Sequence, residues 1–259
     1  MTDAVLYQVE YGVATITLNR TAERNRWSAE LMSSLFAAID RLSADAEARV
    51  AILTGSAEAF SSGANLKDAR AHATNDISQY NEGRDNSIYD AIMNCPKPVI
   101  AAINGPAVGA GATLAVGCDI RFASTEARLR WPMASLGIIP ANGTLVRLAR
   151  LIGTGNALEL TLSSRWVNAD EALQMGLVNR VVPHDELLTE SRELAEKIAR
   201  NAPLSLEFIK ESLYRGLDMG LRNAVHTDRY RMFILYDTKD RKEASQAWLD
   251  GREPKFIGK

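Results

Sequence analysis

"KPVIAAINGPAVGAGATLAVGCDIRFAS", Lys97–Ser124, decides how this chain is read. An apolar run, "VIAAI", has the length and bounds of a buried strand. A turn of small residues follows, then a stretch with the composition of a tightly packed helix, then a second apolar strand. Within it, Pro106–Asp119 packs three glycines and four alanines into fourteen residues. Two physical needs produce such a run. Small side chains let a helix lie close on a strand, or bare backbone N–H groups face a ligand that larger side chains would block. The stretch by itself leaves both open.

The same grammar recurs on either side. "VLYQVEYGVATITLNR" alternates and breaks at Gly12, which predicts a hairpin. In "SAELMSSLFAAIDRLSAD", Ser28 stands as N-cap, with Leu31, Leu35, Phe36, Ile39 and Leu42 at helical spacing. "RVAILTG" is a buried-type strand, and "SAEAFSSGANLKDA" is a small-residue loop running into a helix. "ARLRWPMASLGIIPANGTLVRLARLIG" supplies another round. Rounds beginning near Val50, Val99 and Ile120 predict an α/β spiral of ββα turns, each burying its neighbour's face. From Asn201 the pattern is helical only. The expected division is a spiral core over 1–200 and a helical C-terminal region over 201–259.

Composition bounds the function. In 259 residues, 46% hydrophobic and 24% charged side chains suit a globular core, and a net charge of −2 creates no field for nucleic acid or an anionic membrane. Cys95 and Cys118 have neither metal-ligand spacing nor the makings of a disulfide framework. No run of about 18 apolar residues occurs, so no membrane span is expected. The N-terminal stretch lacks the basic flank and apolar core of a signal peptide, and the expected compartment is the cytoplasm.

Six segments in order carry a resemblance: "LNRTAERNRWSAELM", "AFSSGANLKD", "KPVIAAINGPAVGAGATLAVGCDIRFAS", "LGIIPANGTLVRLARLIG", "NADEALQMGLVNRVVP" and "AWLDGREPKFIGK". Together they make the chain resemble the crotonase superfamily of enoyl-CoA hydratases and isomerases across nearly its whole length. The resemblance implies an acyl-coenzyme A thioester as substrate and no cofactor beyond the coenzyme A of that substrate. It also implies a homotrimer or dimer of trimers. In the family, two backbone N–H groups bind the thioester oxygen and stabilise the enolate. They match Ala64, in the "SSGANL" loop, and Ala110, in the glycine run. Small residues suit the task because the thioester must come within about 3 Å of the main chain, where a helix N-terminus adds positive potential.

Two departures bear on the reaction. Hydratases of the family carry one glutamate in G-G-G-x-E-L and another in P-E-x-x-x-G; here Thr113 and Met133 hold those positions. Methionine transfers no proton, and an unassisted threonine hydroxyl is too weak a base. The "GAGATLA" spelling is similar to a branch of 1,2-epoxyphenylacetyl-CoA isomerases that place an aspartate after "LG-x-x-P". This chain has Ala141 there, followed by Asn142. The dehalogenase branch needs that same aspartate, and a tryptophan where Met133 falls.

The candidates for proton transfer are then Asp68 and His72, with a solvated helix charge and a surface histidine as the plain alternatives. Asn86, Tyr89 and Asp90 read as a solvated helix face around Ile88 and Ile92. His226 and Tyr230 share a helix face suited to packing, and His184 reads as a surface residue at a helix start. For the substrate the resemblance implies Arg24, Arg26 and Lys67 near coenzyme A. It implies Ser62, Asn65, Leu66, Val108, Gly111 and Thr113 along the two loops. Trp131, Pro132, Met133, Leu136, Pro140 and Ala141 are expected to shape an apolar wall. The expected function is an acyl-CoA enzyme that stabilises a thioester enolate. The alternatives are a hydrolase, C–C lyase or isomerase with atypical acid and base groups, and a non-catalytic acyl-CoA binding protein.

Overall fold

The computed structural model describes residues 3–64 and 87–259. Asn65, Leu66, Lys67, Asp68, His72 and Asn86 lie outside the described residues.

Strand β1 (Val5–Glu10) turns back at Gly12 into β2 (Val13–Leu18), giving the expected hairpin. Strands β4 (Val50–Gly55), β6 (Val99–Ile103), β8 (Ile120–Ser124) and β11 (Arg180–Val182) add in parallel, so the main sheet runs β1-β2-β4-β6-β8-β11. Every residue of β4 and β6 is buried. Such continuous apolar strands belong in a parallel sheet covered on both faces, and the side chains sort accordingly. Ala51, Leu53, Val99, Ala101 and Ile103 enter the larger core. Val50, Ile52, Ile100 and Ala102 point the other way, toward Leu187, Ala195 and Ala199 of a helix over Leu187–Ala199.

A second layer runs beside the first. It holds β3 (Arg26–Trp27), β5 (Gly63–Ala64), β7 (Ala107–Val108), β9 (Arg128–Arg130) and β10 (Trp166–Asn168). β3 pairs with β5, β7 with β9 and β9 with β10, while Ser61 bridges to Ala107 and joins the two halves. Each round is therefore a long strand, a short strand and a return segment. The rounds number four rather than the expected three, because β2–β3 with helix α1 (Ala29–Ala44) already forms one. Ser28 caps α1 as expected, accepting from Leu31 N–H at 3.2 Å. The later returns use α2 (Ile88–Asn94), α3 (Ala110–Gly117) and α4 (Thr144–Ser163), which breaks at Gly153. Helices α5 (Ala169–Gln174) and α6 (Leu187–Ala199) follow. The chain ends in α7 (Pro203–Gly216), α8 (Leu221–Tyr236) and α9 (Lys239–Asp250). Among the described residues no helix is long and apolar enough to cross a membrane.

A buried ion pair fastens α7 to the spiral. The Lys210 ammonium donates to the carbonyl oxygens of Ile92 and Lys97 at 2.9 and 3.0 Å and meets Asp119 Oδ2 at 2.9 Å. Asp119 also accepts from Val99 N–H at 2.7 Å and from the Tyr214 hydroxyl at 2.7 Å. All three ammonium protons and both carboxylate oxygens are thus engaged, which offsets the cost of taking the charges out of water.

Removing one partner should leave the other charge buried and alone. Asp119→Ala is expected to lower unfolding stability by about 3–5 kcal/mol in urea titration, whereas Tyr214→Phe should cost about 1 kcal/mol. Equal, small losses in both would show that the pair does not anchor α7.

Candidate active site

The segments that follow β4, β6 and β8 converge beyond the carboxyl ends of these strands, the position where open parallel sheets form ligand crevices. The first is held by Asn25, fully buried with a left-handed φ of 51°. Asparagine tolerates that conformation better than most residues. Its amide nitrogen donates to the carbonyls of Ala59 and Phe60 at 2.9 and 3.2 Å, and its side-chain oxygen accepts from Arg20 N–H at 2.8 Å. Ser61 continues the lattice. Its hydroxyl donates to Asn25 O at 2.8 Å and accepts from Gly63 N–H at 3.2 Å. Its carbonyl accepts from Val108 N–H at 2.9 Å, tying the first segment to the second.

Close approach then dictates glycine. Gly63 has φ +77°, and a Cβ there would meet the Val108 carbonyl oxygen at 2.2 Å and the Ala110 nitrogen at 3.2 Å. A Cβ on Gly111 would meet the Ser61 carbonyl oxygen at 2.5 Å. The missing side chain of Gly63 is what lets the first segment come this close to Val108 and Ala110. Gly109, at φ 54° and ψ −115°, serves as N-cap of α3 and donates to the Arg130 carbonyl at 2.8 Å. Ala110 is the first residue of α3, so its N–H has no intrahelical acceptor, and none is found among the described residues. It sits at the positive end of the helix dipole. Ala64 is exposed on β5, opposite Trp27.

The third segment brings apolar atoms to the start of α3. Met133 Cε would lie 3.6 Å, and Pro132 Cδ 3.9 Å, from a Cβ built on Gly109. Trp131 is enclosed beneath them with no exposed surface. Its indole N–H donates to Thr113 Oγ1 at 3.3 Å. The Thr144 hydroxyl lies 3.1 Å from Thr113 Oγ1 and 2.5 Å from the Ala141 carbonyl oxygen. A hydroxyl has one proton, so when Thr144 donates to Ala141, Thr113 donates to Thr144. A polar chain then runs from Trp131 through Thr113 and Thr144, all buried, to the carbonyl of exposed Ala141.

The structure brings together Ala64, Ala110, Ser62, Val108, Gly111, Pro132 and Met133, and sets Thr113 and Trp131 one layer below them. Leu136 is exposed, Pro140 is buried, and Ala141 is exposed with its carbonyl taken by Thr144. Arg24 and Arg26 are exposed; Arg24 O accepts from Ser62 N–H at 2.9 Å, and Arg26 pairs with Glu23 at 3.2 Å. His184 is a surface residue near Glu126, and His226 and Tyr230 are solvent-exposed on α8. Tyr89 corrects the expected solvated face: it is 4% exposed and its hydroxyl donates to the Ala110 carbonyl at 3.2 Å. Sequence patterning also passed over Asn25, Ser61 and Thr144; their only local signal is a polar residue beside small or apolar ones. Among the described residues no three His, Cys, Asp or Glu side chains gather as a metal site.

The family model described as enoyl-CoA hydratase/isomerase matches residues 8–259. The chain is 34% identical to a short-chain-enoyl-CoA hydratase of Clostridium acetobutylicum, over 96% of this chain and 95% of that protein. It is also 34% identical to a 2,3-dehydroadipyl-CoA hydratase of Escherichia coli, over 95% of this chain and 96% of that protein. Among solved structures, an enoyl-CoA hydratase from Bacillus anthracis superposes with a TM-score of 0.92 at 35% identity, covering 99% of this chain and 100% of that chain.

The close contacts make a sharp expectation about glycine. Gly63→Ala is expected to lose more than about 1 kcal/mol, the cost of the left-handed φ, because its Cβ also meets rigid backbone. Gly137→Ala has a similar φ but meets nothing within 4 Å, so it should lose only the conformational part. Equal midpoints for the two variants in urea unfolding would show that the two segments do not press on each other at residue 63.

Proposed function

The chain belongs to the enoyl-CoA hydratase/isomerase family, and from that premise we propose that it stabilises the enolate of an acyl-coenzyme A thioester between the amides of Ala64 and Ala110. The observation that carries this reading is the close approach of Gly63 to the Ala110 nitrogen at the start of α3, where the Ala110 N–H has no acceptor among the described residues. A thioester oxygen there gains charge as the α-carbon loses a proton or a substituent. Preoriented donors at a helix N-terminus stabilise that charge without reorganising, which is the larger part of catalysis in such sites. Met133 and Pro132 give the acyl group apolar contact and keep water from the carbonyl.

Water addition is disfavoured in this reading. The positions that hold the family's two glutamates carry Thr113 and Met133, and the Thr113 hydroxyl is committed to Trp131 and Thr144. That commitment supports a second reading, a non-catalytic acyl-CoA binding protein. Asp68 and His72 remain the proposed proton-transfer groups if turnover occurs, with a hydrolase, C–C lyase or isomerase as the reaction class. On assembly, α8 turns Val225, Met232 and Phe233 to solvent. An apolar face of that kind supports the proposed homotrimer or dimer of trimers.

Four measurements test these proposals. Calorimetry with crotonyl-CoA and a panel of ring and branched acyl-CoAs should give Kd values well below about 1 mM, a limit worth only about 4 kcal/mol; no binding across the panel overturns the reading. Hydration of crotonyl-CoA should be far slower than the roughly 10 s⁻¹ of ordinary enzymes, since each missing acid–base group forfeits about 10²–10⁴-fold. Ordinary turnover would place a substitute acid in the site, and loss of that turnover in Asp68→Asn or His72→Gln would identify it. Ala110→Val should reduce acyl-CoA affinity or turnover more than Thr113→Ala, because branching at residue 110 crowds the oxygen while residue 113 lies below it. Sedimentation should show three or six times the 28.4 kDa chain; a monomer overturns the assembly.

A further inference from the structure

Two backbone donors serve one oxygen only if the distance between them is held, and they sit on different elements. Ala64 is on β5 and Ala110 on α3. One pair of aromatic residues links both, Trp27 through the strand ladder and Tyr89 through its hydroxyl. Trp27 is the register partner of Ala64 across β3 and β5. Its ring stacks on that of Tyr89, with centroids 6.1 Å apart and planes at 27°. The Tyr89 hydroxyl in turn donates to the carbonyl of Ala110 at 3.2 Å.

The neighbouring residues are shaped to keep Tyr89 there. Ser87 caps α2, accepting from Asp90 N–H at 3.2 Å and donating to the Asp90 carboxylate at 2.7 Å, which fixes the helix turn that carries residue 89. On α3, Gly117 leaves room for the ring: a Cβ there would stand 3.3 Å from Tyr89 Cδ1. We propose that Tyr89 is a positioning residue, which sets the Ala110 amide relative to the Ala64 amide through its hydroxyl on one side and its stack on Trp27 on the other. This rests on the reading of those two amides as the site of the thioester oxygen. The carbonyl it binds belongs to the Ala110–Gly111 peptide, so the hydroxyl acts on the Ala110 N–H, which belongs to the preceding peptide, by fixing the position of residue 110 and not by polarising that N–H. Burial pushes the phenol well above its ordinary range, so it stays a neutral donor at any working pH.

Tyr89→Phe removes the hydroxyl and keeps the stack, so the probe is the full-length protein with crotonyl-CoA carrying ¹³C at the thioester carbonyl. Isotope-edited infrared spectra should show the carbonyl stretch lowered on binding to the unmodified protein. In Tyr89→Phe it should move part of the way back toward the free frequency, with Kd changed less than twofold. For any acyl-CoA that is turned over, kcat should fall about fivefold, the worth of one hydrogen bond, with KM nearly unchanged. Gly117→Ala, which keeps the hydroxyl but crowds the ring, should move the stretch in the same direction. An unshifted carbonyl in the unmodified protein overturns the reading of the two amides and this inference with it. A shifted carbonyl that neither variant alters leaves that reading standing and reduces Tyr89 to packing.

Discussion

The site depends on two stretches of main chain lying closer than any Cβ allows. Ser61–Ala64 and Val108–Gly111 touch through the Val108 amide and the Ser61 carbonyl, and the contact survives only because residues 63 and 111 have no side chain. From this approach come the placing of the start of α3 beside Gly63 and the pairing that joins the two halves of the second layer. An unstrained alternative with alanine at residue 63 would part the segments.

Buried polar groups hold that approach in place. Asn25 and Ser61 lie fully inside, yet the polar atoms of both side chains are paired, so their burial costs little and specifies one arrangement. Asp119 and Lys210 do the same at the other end of α3, where the helical C-terminal region meets the spiral. Cys118, beside them, is a packing residue: burial pushes its thiol up to about 12, and its sulfur lies against the Leu114 carbonyl. The chain Trp131–Thr113–Thr144–Ala141 ties residue 113 into the core. A carboxylate at residue 113 would have to displace an indole N–H and a hydroxyl already matched to each other.

Positioning and chemistry are therefore separable here. In the proposed site the donors are main-chain groups, and proton transfer falls to side chains. The backbone lattice itself rests on Asn25, Ser61, Gly63 and Gly111 and not on the side chains of residues 113 and 133.

Local patterning alone determined much of this protein. The hairpin at Gly12, the Ser28 cap, the buried strands at Val50 and Val99, and the helical tail follow from periodicities of two and 3.6 that each segment carries by itself. The small-residue run announced a tightly packed helix and left open whether its first amides face a ligand. What only the tertiary structure decided is the set of features whose partners are distant in the chain. The two-residue strands β3, β5 and β7 exist through pairing rather than propensity, which is why a fourth round went unread. Tyr89 looked like one polar residue on a helix face, yet its hydroxyl finds the Ala110 carbonyl 21 residues later. Asn25 finds Ala59 and Phe60 across 34 and 35 residues. A polar side chain's burial depends on whether the fold supplies its partner, and no neighbour in the sequence records that.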